Sequence, residues 1–83
     1  MPETRKFACP CCSFLTLDEE PGNYDSCPVC FWEDDPVQFQ YPEKGGGANR
    51  VSLQEARENF SRIGACEKRW KRHVRAPLPE EIP

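Results

Sequence analysis

The apolar positions of this chain follow two patterns. Up to residue 41 they come in short bursts beside cysteines or turns, and from residue 51 they recur at helical spacing. Arg5-Lys6-Phe7-Ala8 predicts a short strand leading into a cysteine cluster, and Phe14-Leu15-Thr16-Leu17 a strand leading out of it. The two are placed to pair across the turn the cysteines make. Asp18 to Asn23 is a turn punctuated by Pro21-Gly22. Tyr24-Asp25-Ser26 and Phe31-Trp32-Glu33 flank a second cluster in the same way. Val37, Phe39 and Tyr41 alternate with Gln38 and Gln40, a period of two that predicts one more half-buried strand after an Asp35-Pro36 turn.

Pro42 to Asn49 reads as a linker with Gly45-Gly46-Gly47 as its flexible centre. No Lys-Ser/Thr pair follows those glycines, so they do not form a phosphate-binding loop. A helix then starts with a capping box, Ser52 at the N-cap and Glu55 three residues on, with Val51 and Ala56 at the staple positions. Leu53, Ala56, Phe60 and Ile63 form its apolar stripe, and Gly64 fits the left-handed position that ends it. A second helix is predicted from Cys66 to Val74, with Cys66, Trp70 and Val74 on one face and Pro77 and Pro79 as its stop. The tail from Leu78 reads as extended or frayed. The expected fold is α+β: a small, zinc-ribbon-like antiparallel β portion followed by two short α-helices. All of 1–83 forms one domain, divided into a cysteine-rich ribbon (6–41), a Gly-rich linker (42–50), a helical part (51–76) and a Pro-rich tail (77–83).

Composition adds the need for a staple. In 83 residues, 37% are hydrophobic and 30% charged, too little apolar surface for a generous core. Six cysteines supply the candidates. Met1 to Lys6 leads into no apolar signal region, and no run approaches the ~20 apolar residues of a membrane span, so the expected location is cytoplasmic, away from any membrane. There thiols stay reduced, and paired C-x-x-C motifs read as metal ligands before disulfides.

The two clusters are Cys9-Pro10-Cys11-Cys12 and Cys27-Pro28-Val29-Cys30, with 14 residues between them. Each C-x-x-C turn offers two sulfurs on one side, and two such turns complete a tetrahedral thiolate shell. The predicted ligands are Cys9, Cys12, Cys27 and Cys30, since using Cys11 instead of Cys12 leaves a tighter, less usual turn. Zinc is the expected ion, with iron as its rival for four thiolates. Cys11 and Cys66 are left over. Packing is the plain account of both, against a redox or alternative-ligand role for Cys11. A thioredoxin-type site needs a βαβ context that is missing.

Charge divides the chain. Residues 1–49 carry nine acids against three bases, and residues 50–83 five acids against eight bases. The run Glu33-Asp34-Asp35 reads as solvated acids or as acids facing the basic helix. Lys68, Arg69, Lys71, Arg72 and Arg75 surround Trp70, an outline of nucleic-acid binding that also fits simple helix-dipole complementation. His73, the single histidine, has no nucleophile at readable spacing and reads as a surface residue.

Taken together, Cys9-Pro10-Cys11-Cys12, Leu15-Thr16-Leu17-Asp18-Glu19, Cys27-Pro28-Val29-Cys30-Phe31-Trp32-Glu33-Asp34-Asp35, Gly46 to Leu53, Glu55-Ala56-Arg57 and Gly64-Ala65-Cys66-Glu67 resemble the small bacterial cysteine-rich CPCC proteins. The likeness runs from about residue 6 to residue 80. It implies a small single-domain protein with a metal site and carries over no catalytic residue. Ser13 stands where that family often has glycine, which puts strain on the first knuckle. The expected function is a zinc-binding domain with a structural four-cysteine site, a non-enzymatic binding or adaptor protein for a protein partner. The alternatives are nucleic-acid binding through the basic second helix and thiol redox or metal handling through the first cluster.

Overall fold

The computed structural model describes residues 6–83. Arg5 of the first predicted strand lies outside the described residues. The chain opens as a short antiparallel ribbon. β1 (Phe7–Ala8) pairs with β2 (Leu15–Leu17), Phe7 opposite Leu17 and Ala8 opposite Leu15, with an irregularity between the two pairs. Thr16 and Leu17 are buried while β1 is exposed, so the ribbon covers the core with β2. The arms of the second cluster pair at one bridge, Ser26 with Glu33.

The predicted strand at Val37–Tyr41 is instead a helix, α1 (Pro36–Gln40). Asp35, in an extended conformation, accepts hydrogen bonds from the Val37 and Gln38 amides, and Pro36 follows at the first helical position. An aspartate N-cap and a proline at N1 are both helix-starting devices. They override the period of two, and the faces come out inverted. Gln38 is fully buried, while Val37, Phe39 and Tyr41 are 45%, 43% and 54% exposed.

α2 (Leu53–Ile63) matches the predicted helix. Ser52 Oγ accepts from the Glu55 amide at 3.1 Å, and Gly64, at φ 78°, closes the helix with its N–H on the Phe60 carbonyl. Leu53 and Ala56 are buried, and Phe60 meets Phe14 edge-on at 6.3 Å between ring centres. The α+β class therefore holds, an antiparallel two-stranded ribbon followed by two helices, but the first helix precedes the glycine-rich segment.

The expected helix over Cys66–Val74 is reduced to one 3-10 turn, Lys68–Trp70. The Cys66 amide donates to the Cys30 carbonyl at 2.8 Å, and the Arg75 amide to the Pro28 carbonyl at 3.2 Å. Both ends of the segment are thus tied to the second cysteine turn, and the short span between them cannot coil into a continuous α-helix. The tail is not frayed. Pro79–Glu81 form another 3-10 turn, packed on β2. The Glu81 carboxylate accepts from Arg75 at 2.9 and 2.8 Å and from the Leu78 amide at 2.8 Å. No helix among the described residues is long and apolar enough to cross a membrane.

The acidic run is the other correction. Asp34 and Asp35 are buried, not solvated. Asp34 Oδ2 accepts from the Gly22 and Asn23 amides, fixing the turn ahead of the second cluster. Asp35 Oδ1 caps α1, and its Oδ2 accepts from the Ala48 amide at 2.9 Å. The glycine-rich segment is therefore tied down at that point. Burial pushes the Asp35 carboxyl up, but the Ala48, Val37 and Gln38 amides together hold it below its ordinary value of 3.8. Folded Asp35 binds its proton less tightly than unfolded Asp35. Its contribution is therefore complete above the unfolded pKa and is lost as pH falls through the lower folded value. The expected result is that the stability gap between the native chain and Asp35→Asn narrows as pH drops below about 4, measured by urea melts across pH. A gap independent of pH would count against this role.

Candidate metal centre

Both cysteine turns close on themselves in one pattern. In the first, the Cys9 amide donates to the Phe14 carbonyl at 2.9 Å and the Ser13 amide to the Cys9 carbonyl at 2.8 Å. In the second, the Cys27 amide donates to the Trp32 carbonyl at 3.0 Å and the Phe31 amide to the Cys27 carbonyl at 2.7 Å. The residue after each C-x-x-C, Ser13 and Phe31, sits at φ 71°. The turns are conformational copies, and each lifts its two sulfurs to one side. The ribbon and the Ser26–Glu33 bridge then bring the turns face to face.

The sulfurs meet crosswise. Cys9 Sγ lies 3.6 Å from Cys30 Sγ, and Cys12 Sγ 3.7 Å from Cys27 Sγ. All four lie within 4.8 Å of one another. These separations are far beyond the ~2.05 Å of a disulfide, and all six cysteines are free. Four ligands at ~2.3 Å around a tetrahedral ion stand about 3.8 Å apart, close to the separations found. The four cysteines singled out from spacing are thus positioned to bind a metal ion. Cys9, Cys27 and Cys30 are buried and Cys12 is partly exposed.

Two polar groups support the sulfurs directly. The Cys11 amide points at Cys9 Sγ at 3.4 Å, and the Thr16 hydroxyl donates to Cys27 Sγ at 3.0 Å. Thr16 escaped the sequence reading because it sat between Leu15 and Leu17 in a strand pattern, with no signal that it faces a sulfur. Further out, Arg57 Nε donates to the Pro10 carbonyl at 2.9 Å, tying α2 to the first turn. The Cys66 amide ties the second turn to the segment after α2.

Four sulfurs this close cannot ionise independently. Hydrogen bonds from Cys12, Cys30 and Cys9, helped by Thr16, hold the Cys27 thiol well below its ordinary range. Cys9, Cys12 and Cys30 are pushed far up, chiefly because each holds its proton in a hydrogen bond to a neighbouring sulfur. A metal cation held by the four sulfurs would supply the charge that lets them ionise together.

The leftover cysteines lie outside this group. Cys11 and Cys66 are both buried, and burial pushes the Cys66 thiol up. Cys11 is 6% exposed, in agreement with packing as the account of it and against an accessible redox thiol inside the knuckle. His73 is likewise outside the cluster, packed at 5.6 Å from the Phe31 ring and 5.4 Å from Trp70.

Ser13, like Phe31 in the second turn, is held against its own backbone preference. Its positive φ costs about 1–2 kcal/mol for a residue with a Cβ, whereas glycine adopts it freely. Glycine also loses more entropy on folding, which returns part of the gain. Ser13→Gly is expected to stabilise the metal-loaded protein by about 0.5–1 kcal/mol in urea denaturation. The matching change at Phe31 should instead destabilise, because the Phe31 ring packs against Trp70, tilted by 45° at 4.9 Å between ring centres.

A zinc-ribbon-like pair of cysteine turns, set in a small α+β domain with a helix docked beside it, defines the class. Within that class, the model of the family described as "Cysteine-rich CPCC" matches residues 7–81, and the chain belongs to that family. No curated protein matches the chain.

Proposed function

We propose that this chain is a small zinc-binding domain whose ion is structural, held by Cys9, Cys12, Cys27 and Cys30. On this reading it acts as a non-enzymatic binding or adaptor module for a protein partner in a bacterial cytoplasm. The observation that carries the proposal is the closure of the site. A catalytic zinc keeps one position open for water or substrate, whereas structural zinc is surrounded by four protein ligands. Here four sulfurs already converge at tetrahedral spacing, three of them in buried residues. A thiol-redox role is disfavoured by the burial of Cys11 and Cys66, since reactive thiols are accessible and low in pKa.

The test compares native with denaturing mass spectrometry, alongside elemental analysis. One zinc per chain, lost together with the fold on chelation, is the expected result. Iron is told apart from zinc by colour, because ferric tetrathiolate absorbs in the visible and zinc does not. A protein that stays fully folded after exhaustive chelation would sink the structural reading.

A further inference from the structure

The segment that failed to become a helix gathers positive charge at one place. Lys68, Arg69, Lys71, Arg72 and His73 line an open cleft of about 430 Å³. Neighbouring charges leave most of them free. Arg75 is committed to Glu81, and Arg69 Nε donates to the buried Glu67 at 2.8 Å. Lys68, Lys71 and Arg72 are exposed and form no ion pair among the described residues.

Arg69 differs from the others because it is fixed. Glu67 holds its Nε, and its guanidinium lies 4.2 Å over the Trp70 ring. Trp70 is itself held by Phe31 at 4.9 Å, on the second cysteine turn. The two terminal nitrogens of Arg69 make no hydrogen bond among the described residues. A planar fork held in place, with two free donors, is built to take a carboxylate or phosphate in two bonds.

Three features choose between those anions. The cations lie within six consecutive residues, so they make a spot rather than a track, whereas single-strand binders follow about 4–16 nucleotides. The aromatic ring in the cluster is already covered by the Arg69 guanidinium and packed at a 45° tilt against Phe31, which removes it as a platform for bases. Residues 1–49 carry nine acids against three bases and would repel a long polyanion but not a short one.

We propose that the cleft docks a short carboxylate-rich segment of a protein partner, with Arg69 gripping one carboxylate and Lys68, Lys71 and Arg72 receiving others. This names the chemistry of the partner and rests on the binding role above, independently of which metal is bound.

Fluorescence anisotropy of the full chain with a labelled Asp/Glu octapeptide tests it, beside the Asn/Gln peptide of the same length and a dT12 strand. The acidic peptide should bind at ~50 mM salt and weaken steeply as salt rises, while the amide peptide does not bind. A Lys68→Glu, Lys71→Glu, Arg72→Glu variant, altered only at exposed positions, should lose at least about tenfold in affinity. Arg69→Lys keeps the charge but not the fork, and should lose about threefold or more. Mass spectrometry of each variant should find the metal retained, so that loss of binding is separable from loss of the fold. No acidic-peptide binding at low salt, an unchanged charge-reversal variant, or tenfold tighter binding of dT12 would each overturn the proposal, the last in favour of nucleic acid.

Discussion

Cys27→Ser is expected to abolish metal binding and leave the chain without a cooperative unfolding transition. Cys27 is fully buried, and its sulfur meets Cys12 Sγ at 3.7 Å and accepts from the Thr16 hydroxyl at 3.0 Å. Its backbone closes the second turn at both ends. The size of the effect follows from the composition of the core. Among the described residues, five of the eleven buried hydrophobic ones are cysteines, so the sulfurs are the centre of the core and not an addition to it. Structural zinc contributes an apparent ~10–16 kcal/mol in small folds, as large as the whole ~5–15 kcal/mol stability of an ordinary domain. Losing one ligand leaves three sulfurs facing a hydroxyl, with no apolar layer to replace the ion. Near-UV circular dichroism, reporting on Trp32 and Trp70, should collapse, and native mass spectrometry should find no bound metal. Cys66→Ala and Cys11→Ser serve as controls that keep the metal. A Cys27→Ser protein with one bound ion and an unchanged melting midpoint would refute the assignment of Cys27 as a ligand.

What was readable in the sequence, and what was not, divides by distance along the chain. The cysteine turns are local: a C-x-x-C with proline second sets its own geometry, and within the motif the two copies differ only at Cys11 and Val29. α2 is local too, since Ser52, Gly64 and the stripe between them contain both ends and the buried face. Apart from the local start of α1 at Asp35 and Pro36, the errors lie where long-range bonds decide. The alternation at Val37, Phe39 and Tyr41 described a strand whose apolar face had nothing to cover, because the buried partner in that stretch is Gln38. The stripe of Cys66, Trp70 and Val74 was sound as a pattern, but the Cys30 and Pro28 carbonyls hold the ends of that segment in place. Asp34 and Asp35 looked like solvent-facing acids because amides they serve lie 12 and 13 residues away.

Gln38→Ala should be the most damaging change away from the cysteines, at about 3–5 kcal/mol in urea denaturation of the metal-loaded protein. Gln38 is fully buried inside the glycine-rich loop. Its Nε2 donates to the carbonyls of Lys44, Asn49 and Val51 at 2.9, 3.2 and 3.1 Å, so its two hydrogens are shared among three acceptors. Its Oε1 accepts from the Asn49 amide at 3.1 Å and Asn49 Nδ2 at 2.9 Å. Asn49 in turn clasps the backbone of Glu33, donating to its carbonyl at 2.7 Å and accepting from its amide at 2.9 Å. One side chain thereby fastens residues 44–51 to α1, and through Asn49 to the exit of the second cysteine turn. Truncation strands buried backbone groups rather than merely removing bonds, and a stranded group costs more than its hydrogen bond contributes. Gln38→Leu, which fills the same space, should therefore recover little. The loop has no slack for a substitute either: a Cβ on Gly47 would stand 2.6 Å from Asp35 Oδ2 and 3.0 Å from Gln38 Cδ. Because Gln38 and Asn49 act through each other, Gln38→Ala combined with Asn49→Ala should cost well below the sum of the two, by about 1–3 kcal/mol. Additive losses would mean that the loop is held by separate contacts, and a Gln38→Ala cost under about 0.5 kcal/mol would mean that it is not held by Gln38 at all.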